Sequence, residues 1–112
     1  MSKINIEVCL TNQKEKIINI KTQGIIADNK IKYIENNTIN ILDLEKETLR
    51  RSTKEYTLLL DFKNEKALYD YNTYKLPLEI KVINKEIKPN KITIKYKILE
   101  TNDIYEYKIN WR

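Results

Sequence analysis

Apolar side chains recur at every second residue from one end of this chain to the other. Alternation with a period of two marks a strand with one buried and one solvated face, because successive side chains leave the pleated backbone on opposite sides. Ile4, Ile6, Val8 and Leu10 alternate with Lys3, Asn5, Glu7 and Cys9. Ile18 and Ile20 begin a second run that leads toward Gly24, Ile31 and Tyr33 a third, Ile39 and Ile41 a fourth, and Leu49 and Arg51 a shorter fifth. Tyr56, Leu58, Leu60 and Phe62 align next, then Ala67, Tyr69 and Tyr71, then Leu76, Leu78, Ile80 and Val82. Ile92, Ile94, Tyr96 and Ile98 follow, and the last run is Tyr105, Tyr107, Ile109 and Trp111. About nine or ten short strands at regular spacing predict an all-β sandwich or barrel.

Strands this close together need tight turns, yet the chain has one glycine and two prolines. Asparagine and aspartate take over the task, since both tolerate the left-handed backbone that hairpin turns require. Asp28-Asn29, Asn36-Asn37, Lys63-Asn64, Asn84-Lys85, Pro89-Asn90 and Asn102-Asp103 each fall between alternating runs. The turn residues thus predict strand boundaries independently of the alternation. DLEKETLRRS, residues 43–52, competes as a short helix with Asp43 as its cap. A lone helix of that length is marginal and both its flanks alternate, so the strand reading is preferred.

The 112 residues suit one domain, and a 41% hydrophobic content is enough to bury a core. SKINIEV follows Met1 with no apolar leader, and no stretch approaches the ~20 apolar residues of a membrane span. The single cysteine, Cys9, cannot make an internal disulfide. These features lead to the expectation of a cytoplasmic protein with no membrane partner.

Several chemistries are excluded by what the chain lacks. It contains no histidine, so triads of the Ser-His or Cys-His type cannot form, and Cys9 has no imidazole to activate it. One cysteine and no histidine cannot build a zinc site of the usual ligand set. One glycine is too few for a phosphate-cradling loop. Glu45 and Glu47 flank Lys46 and read as a solvated turn rather than an acid-base pair. The expectation is a protein that is not an enzyme and uses no metal or cofactor.

TQGIIADNKIKYIE with Gly24, Tyr33 and Glu35, LRRST with Arg51, YDYNTYKLPLEI, and ITIKYKI with Tyr96 ahead of a terminal hairpin occur in that order. In this order of features the chain resembles the YwiB-like family of bacterial proteins of unknown function, from about Thr22 to Trp111. It departs from the family pattern at Lys75, where the family usually has a glycine after the turn aromatic, and it lacks the proline that many members carry near that turn. The resemblance implies an antiparallel, up-and-down calycin or lipocalin-like β-barrel of about 8–10 strands, and it implies no established activity.

Two candidate sites follow. The inward phase collects Arg51, Tyr56, Tyr69, Tyr71 and Tyr96, together with Tyr105 and Tyr107. A guanidinium among tyrosine hydroxyls inside a small barrel suits a small, anionic or polar ligand, because an unpaired buried charge is costly. The outward phase collects Lys75, Lys81, Lys91, Lys95 and Lys97. From Lys75 to Lys97 seven lysines face two glutamates, so this segment holds the whole +5 excess of the chain. Such a patch suits RNA or an acidic protein, although Tyr96 falls on the opposite face and single-strand recognition wants aromatics beside the cations. The inward site is therefore the leading expectation, the lysine patch the alternative, and a structural or oligomerising role the third.

Overall fold

The computed structural model describes residues 1–13 and 15–112. It contains ten strands: β1 Ser2–Asn12, β2 Glu15–Ala27, β3 Lys30–Glu35, β4 Thr38–Asp43, β5 Thr48–Ser52, β6 Thr57–Asp61, β7 Lys66–Asp70, β8 Lys75–Lys88, β9 Lys91–Ile98 and β10 Ile104–Trp111. Each strand pairs antiparallel with its sequence neighbour, and β1 also pairs with β10, closing an up-and-down barrel. Closure gives every strand two neighbours and so shortens the free sheet edge that could template aggregation, although β2 meets β3 only through Gly24–Ala27 and β8 meets β7 only through Lys75–Glu79.

Asparagine makes the turns. Among the described residues ten non-glycine positions have positive φ, and six of them are asparagines: Asn29, Asn36, Asn37, Asn72, Asn90 and Asn102. Aspartates at strand ends reinforce them, because a carboxylate can bond the backbone two or three residues ahead. Asp43 Oδ1 accepts from the Glu45 and Lys46 amides at 3.0 and 2.9 Å, and Asp61 Oδ1 accepts from Lys63 and Asn64 at 3.1 and 3.0 Å. The first of these turns leads directly into β5, so residues 43–52 hold no helix. Gly24, with no positive φ, serves another purpose. A Cβ there would lie 2.4 Å from Ile6 Cδ1 and 2.6 Å from the Lys32 carbonyl oxygen, so β1 and β3 approach β2 more closely than any side chain permits.

Two expectations about the strands change. Asn84-Lys85 is no turn: β8 runs straight through it, and a register shift between Val82 and Asn84 marks a bulge. In β4 the inward residues are Asn40 and Leu42, whereas Ile39 is exposed. Register decides this. Tyr33 stands opposite Asn40 and Ile31 opposite Leu42, and cross-strand partners share a face. With Ile31 and Tyr33 inward, Ile39 must point out, where it meets the likewise exposed Ile34 across the ladder.

The interior divides along the barrel axis. One end, carrying the turns at 28–29, 44–47, 62–65 and 89–90, is filled by Ile6, Ile31, Leu42, Phe62, Ile80 and Ile109, all at most 2% exposed. The other end, carrying the turns at 36–37, 53–56, 71–74 and 99–103, receives tyrosines and charged groups instead. The change of composition along each inward face leaves the second half incompletely filled.

Candidate functional site

The half-filled end forms a cup of about 210 Å³. Its apolar wall comes from Leu10, Ile18, Leu49, Leu58, Leu60 and Leu78, and its polar wall from Glu35, Arg51 and five tyrosines at 33, 69, 96, 105 and 107. An apolar cavity of about 150 Å³ admits benzene, so this space is enough for one substituted six-membered ring. Alternation on separate strands brings these groups together. Tyr33 and Glu35 lie on β3, Arg51 on β5, Tyr69 on β7, Tyr96 on β9, and Tyr105 and Tyr107 on β10.

A charged cluster occupies one side. Arg51 donates from Nη2 to Glu35 Oε1 at 2.7 Å and from Nε to Asn40 Oδ1 at 3.1 Å. Asn40, fully buried, stands directly opposite Arg51 in the β4–β5 ladder and donates in turn to the Thr38 carbonyl at 3.3 Å and, at a longer 3.5 Å, to Glu35 Oε1. The guanidinium is thus paired with a carboxylate whose side chain is only 5% exposed, and the charges of the wall cancel. Deeper in the barrel the Tyr33 and Tyr107 hydroxyls share a hydrogen bond of 2.8 Å. Burial pushes the Tyr33 hydroxyl up to about 12 and raises those of Tyr107 and Tyr96 as well, so all three are neutral donors and acceptors.

Other valences stay open. Among the described residues nothing hydrogen-bonds the hydroxyl of Tyr69, Tyr96 or Tyr105, Arg51 Nη1 or Glu35 Oε2. Asn12 Oδ1 is the one sealed side-chain polar atom without a partner among these residues. The open atoms of the cup wall therefore face space rather than packed protein. Aromatic stacking stiffens that wall: Tyr96 and Tyr105 stack with centroids 5.5 Å apart, and Phe62 meets Tyr96 at 5.3 Å.

Of the five residues expected to bind a ligand, Arg51, Tyr69 and Tyr96 line the cup. Tyr56 and Tyr71 do not. Tyr56 ends the loop before β6 and Tyr71 lies just past β7, in the turn closed by the Tyr71 amide on the Tyr74 carbonyl. There they join a rim of rings, Tyr56 tilted against Tyr71 at 5.6 Å and Tyr71 stacked on Tyr74 at 5.0 Å, and both Tyr56 and Tyr71 also contact the ring of Tyr69. Glu35, Tyr33 and Asn40 belong to the site and were not among the expected binding residues. Tyr33 and Glu35 share a phase with Ile31, which was a signal available in the sequence, but the polarity of Glu35 hid it.

The lysine patch occupies the outer face of β8 and β9. Lys81 stands directly opposite Lys97, and Lys95 lies opposite Asn84, with Lys75 and Lys91 toward the strand ends. Lys85, outside that group, pairs with Glu47, and Lys88 pairs with Glu86 at 2.6 Å. Among the described residues no cluster of three or more His, Cys, Asp or Glu side chains could hold a metal ion. Cys9 faces outward on β1 and is half-buried. Comparison with protein-family models, with curated proteins and with solved structures yields no match to this chain.

Proposed function

We propose that the protein is a non-catalytic binding module that takes one small ligand into the cup around Arg51 and the tyrosines. One observation carries this reading: three tyrosine hydroxyls, at Tyr69, Tyr96 and Tyr105, have no partner among the described residues and lie beside about 210 Å³ of unfilled space. These hydroxyls are not sealed by protein and stay open to a ligand, and a barrel built only for stability would fill this volume with side chains. The order of Gly24, Tyr33, Glu35, Arg51 and Tyr96 along the chain supports kinship with the YwiB-like barrels. Ligand-observed NMR with a panel of small ring compounds at millimolar concentration tests the reading. Binding to the wild type, lost when Ala67→Phe fills the cup floor, is the expected result; a panel with no binder would sink it.

A second reading rests on Lys81 and Lys97. Like charges directly opposite across a ladder repel each other, and a polyanion, RNA or an acidic protein, would relieve that cost in the bound state. Binding of a single-stranded RNA to this face should weaken steeply with salt and with Lys81→Glu. No binding at low salt counts against it.

A further inference from the structure

We propose that the cup selects an uncharged planar ring bearing a hydrogen-bond donor and acceptor side by side, the pattern of a carboxamide or lactam. This rests on the reading of the cup as a ligand site and adds the class of ligand.

Charge balance is the first argument. Glu35 and Arg51 are the one carboxylate and the one guanidinium of the wall, and they pair at 2.7 Å. The tyrosines around them stay neutral, because burial raises Tyr33, Tyr69, Tyr96, Tyr105 and Tyr107 alike. A carboxylate entering this space would meet Glu35 as well as Arg51, and an ammonium would meet Arg51 as well as Glu35. Either ion gives up its hydration for a wall with no net charge to offer. An uncharged ligand gives up far less.

The pattern of open valences is the second. Arg51 keeps Nη1 as a donor and Glu35 keeps Oε2 as an acceptor, and these belong to the same two groups that are clasped through Nη2 and Oε1. One ion pair of the wall therefore keeps both a donor and an acceptor unused. Their complement is an acceptor next to a donor, which a C(=O)–NH group carries on one edge, whereas a carboxylate supplies acceptors only and an amidinium donors only. The shape of the cup supplies the third argument. Tyr96 and Tyr105 lie stacked at 19° and Leu58, Leu60 and Leu78 line the wall, so a flat ring finds aromatic and apolar contact while its polar edge reaches the ion pair.

Benzamide, benzoate and benzamidinium share one size and shape and differ in charge and hydrogen-bond pattern, which makes them the probes. Dissociation constants for the three are measured on the full chain by NMR titration, with chemical-shift changes mapped to Tyr69, Tyr96 and Tyr105. The expected result is benzamide binding at least tenfold more tightly than either ion. Glu35→Gln keeps an acceptor for Arg51 and Asn40 but removes the negative charge, so it should raise benzoate affinity at least tenfold. Benzoate or benzamidinium equal to or tighter than benzamide in the wild type overturns the ligand class and leaves the cup reading standing. Shifts that avoid the cup, or no binding by any of the three, overturn both. The wild-type ranking decides the matter even if Glu35→Gln does not fold.

Discussion

Arg51 reaches across the β4–β5 ladder past Asn40 to place its Nη2 2.7 Å from Glu35 Oε1, inside the barrel and beside the cup of about 210 Å³. A lone guanidinium at that position would make the cup a site for anions. The pair makes it a neutral wall with polar edges, and together with Asn40 it ties β3, β4 and β5 to one another.

Breaking the pair from one side should cost more than removing it. Arg51→Met leaves the Glu35 carboxylate buried without its cation, and such changes cost about 3–5 kcal/mol. Glu35→Met combined with Arg51→Met removes both charges and should recover a large part of that loss. Urea denaturation of the two single variants and the double variant measures this; a double variant less stable than Arg51→Met contradicts it.

Alkaline pH should unfold the barrel from its tyrosines. The folded-state value of Tyr33 is raised from 10.0 to about 12, so the native state keeps its proton where the unfolded chain has lost it. Its contribution is complete below about pH 10 and is lost as pH rises toward 12. Two units correspond to about 3 kcal/mol, with Tyr96 and Tyr107 adding in the same direction. Stability measured from pH 8 upward should fall beyond pH 10, and Tyr33→Phe with Tyr107→Phe should flatten the fall.

Gly24→Ala tests the close approach of β1 and β3. The added methyl would meet the Lys32 carbonyl oxygen at 2.6 Å, and a backbone atom in a ladder cannot move aside. Overpacking of this kind costs about 1–3 kcal/mol. A neutral outcome in thermal denaturation would show that β2 can shift, and the account of Gly24 would fail.

Substitutions in β4 separate its two faces. Asn40→Leu keeps the branched skeleton but removes the acceptor of Arg51 Nε, leaving a part-buried donor unpaired at a cost of about 1–3 kcal/mol. Ile39→Asn, on the outside, should fall within about 0.5 kcal/mol of the wild type. The reverse order would mean that the strand faces the other way.

The outer lysines give a charge test. Lys81→Glu places opposite charges across from each other at Lys97, and cross-strand pairs of that kind contribute about 0.2–1 kcal/mol. The variant should be more stable than the wild type at low salt, with the difference shrinking as salt screens the pair. An unchanged midpoint at low salt would show that the two ammonium groups already avoid each other.

Most of the fold was legible because its causes are local. A period of two sets which residues share a face, and Ile4 to Leu10, Leu58 to Phe62 and Ile92 to Ile98 all face as their alternation predicts. Asparagine in place of glycine fixed the turns, because the left-handed backbone it tolerates is a property of one residue. Where the pattern was ambiguous the sequence misled. Ile39 and Ile41 alternate as well as any pair in the chain, and only the register against Ile31 and Tyr33 turns them outward and brings Asn40 in. The partner of Arg51 was hidden for the same reason, since Glu35 lies 16 residues away and meets it through pairings on two ladders. By itself the sequence determined that the chain forms antiparallel staves with tyrosines and one arginine on their inner faces. Only the tertiary structure decided that the staves close with β1 against β10, that the charge inside is cancelled, and that a volume is left over. Those outcomes depend on strand number, register and the sum of side-chain volumes around a ring, and no single strand carries them.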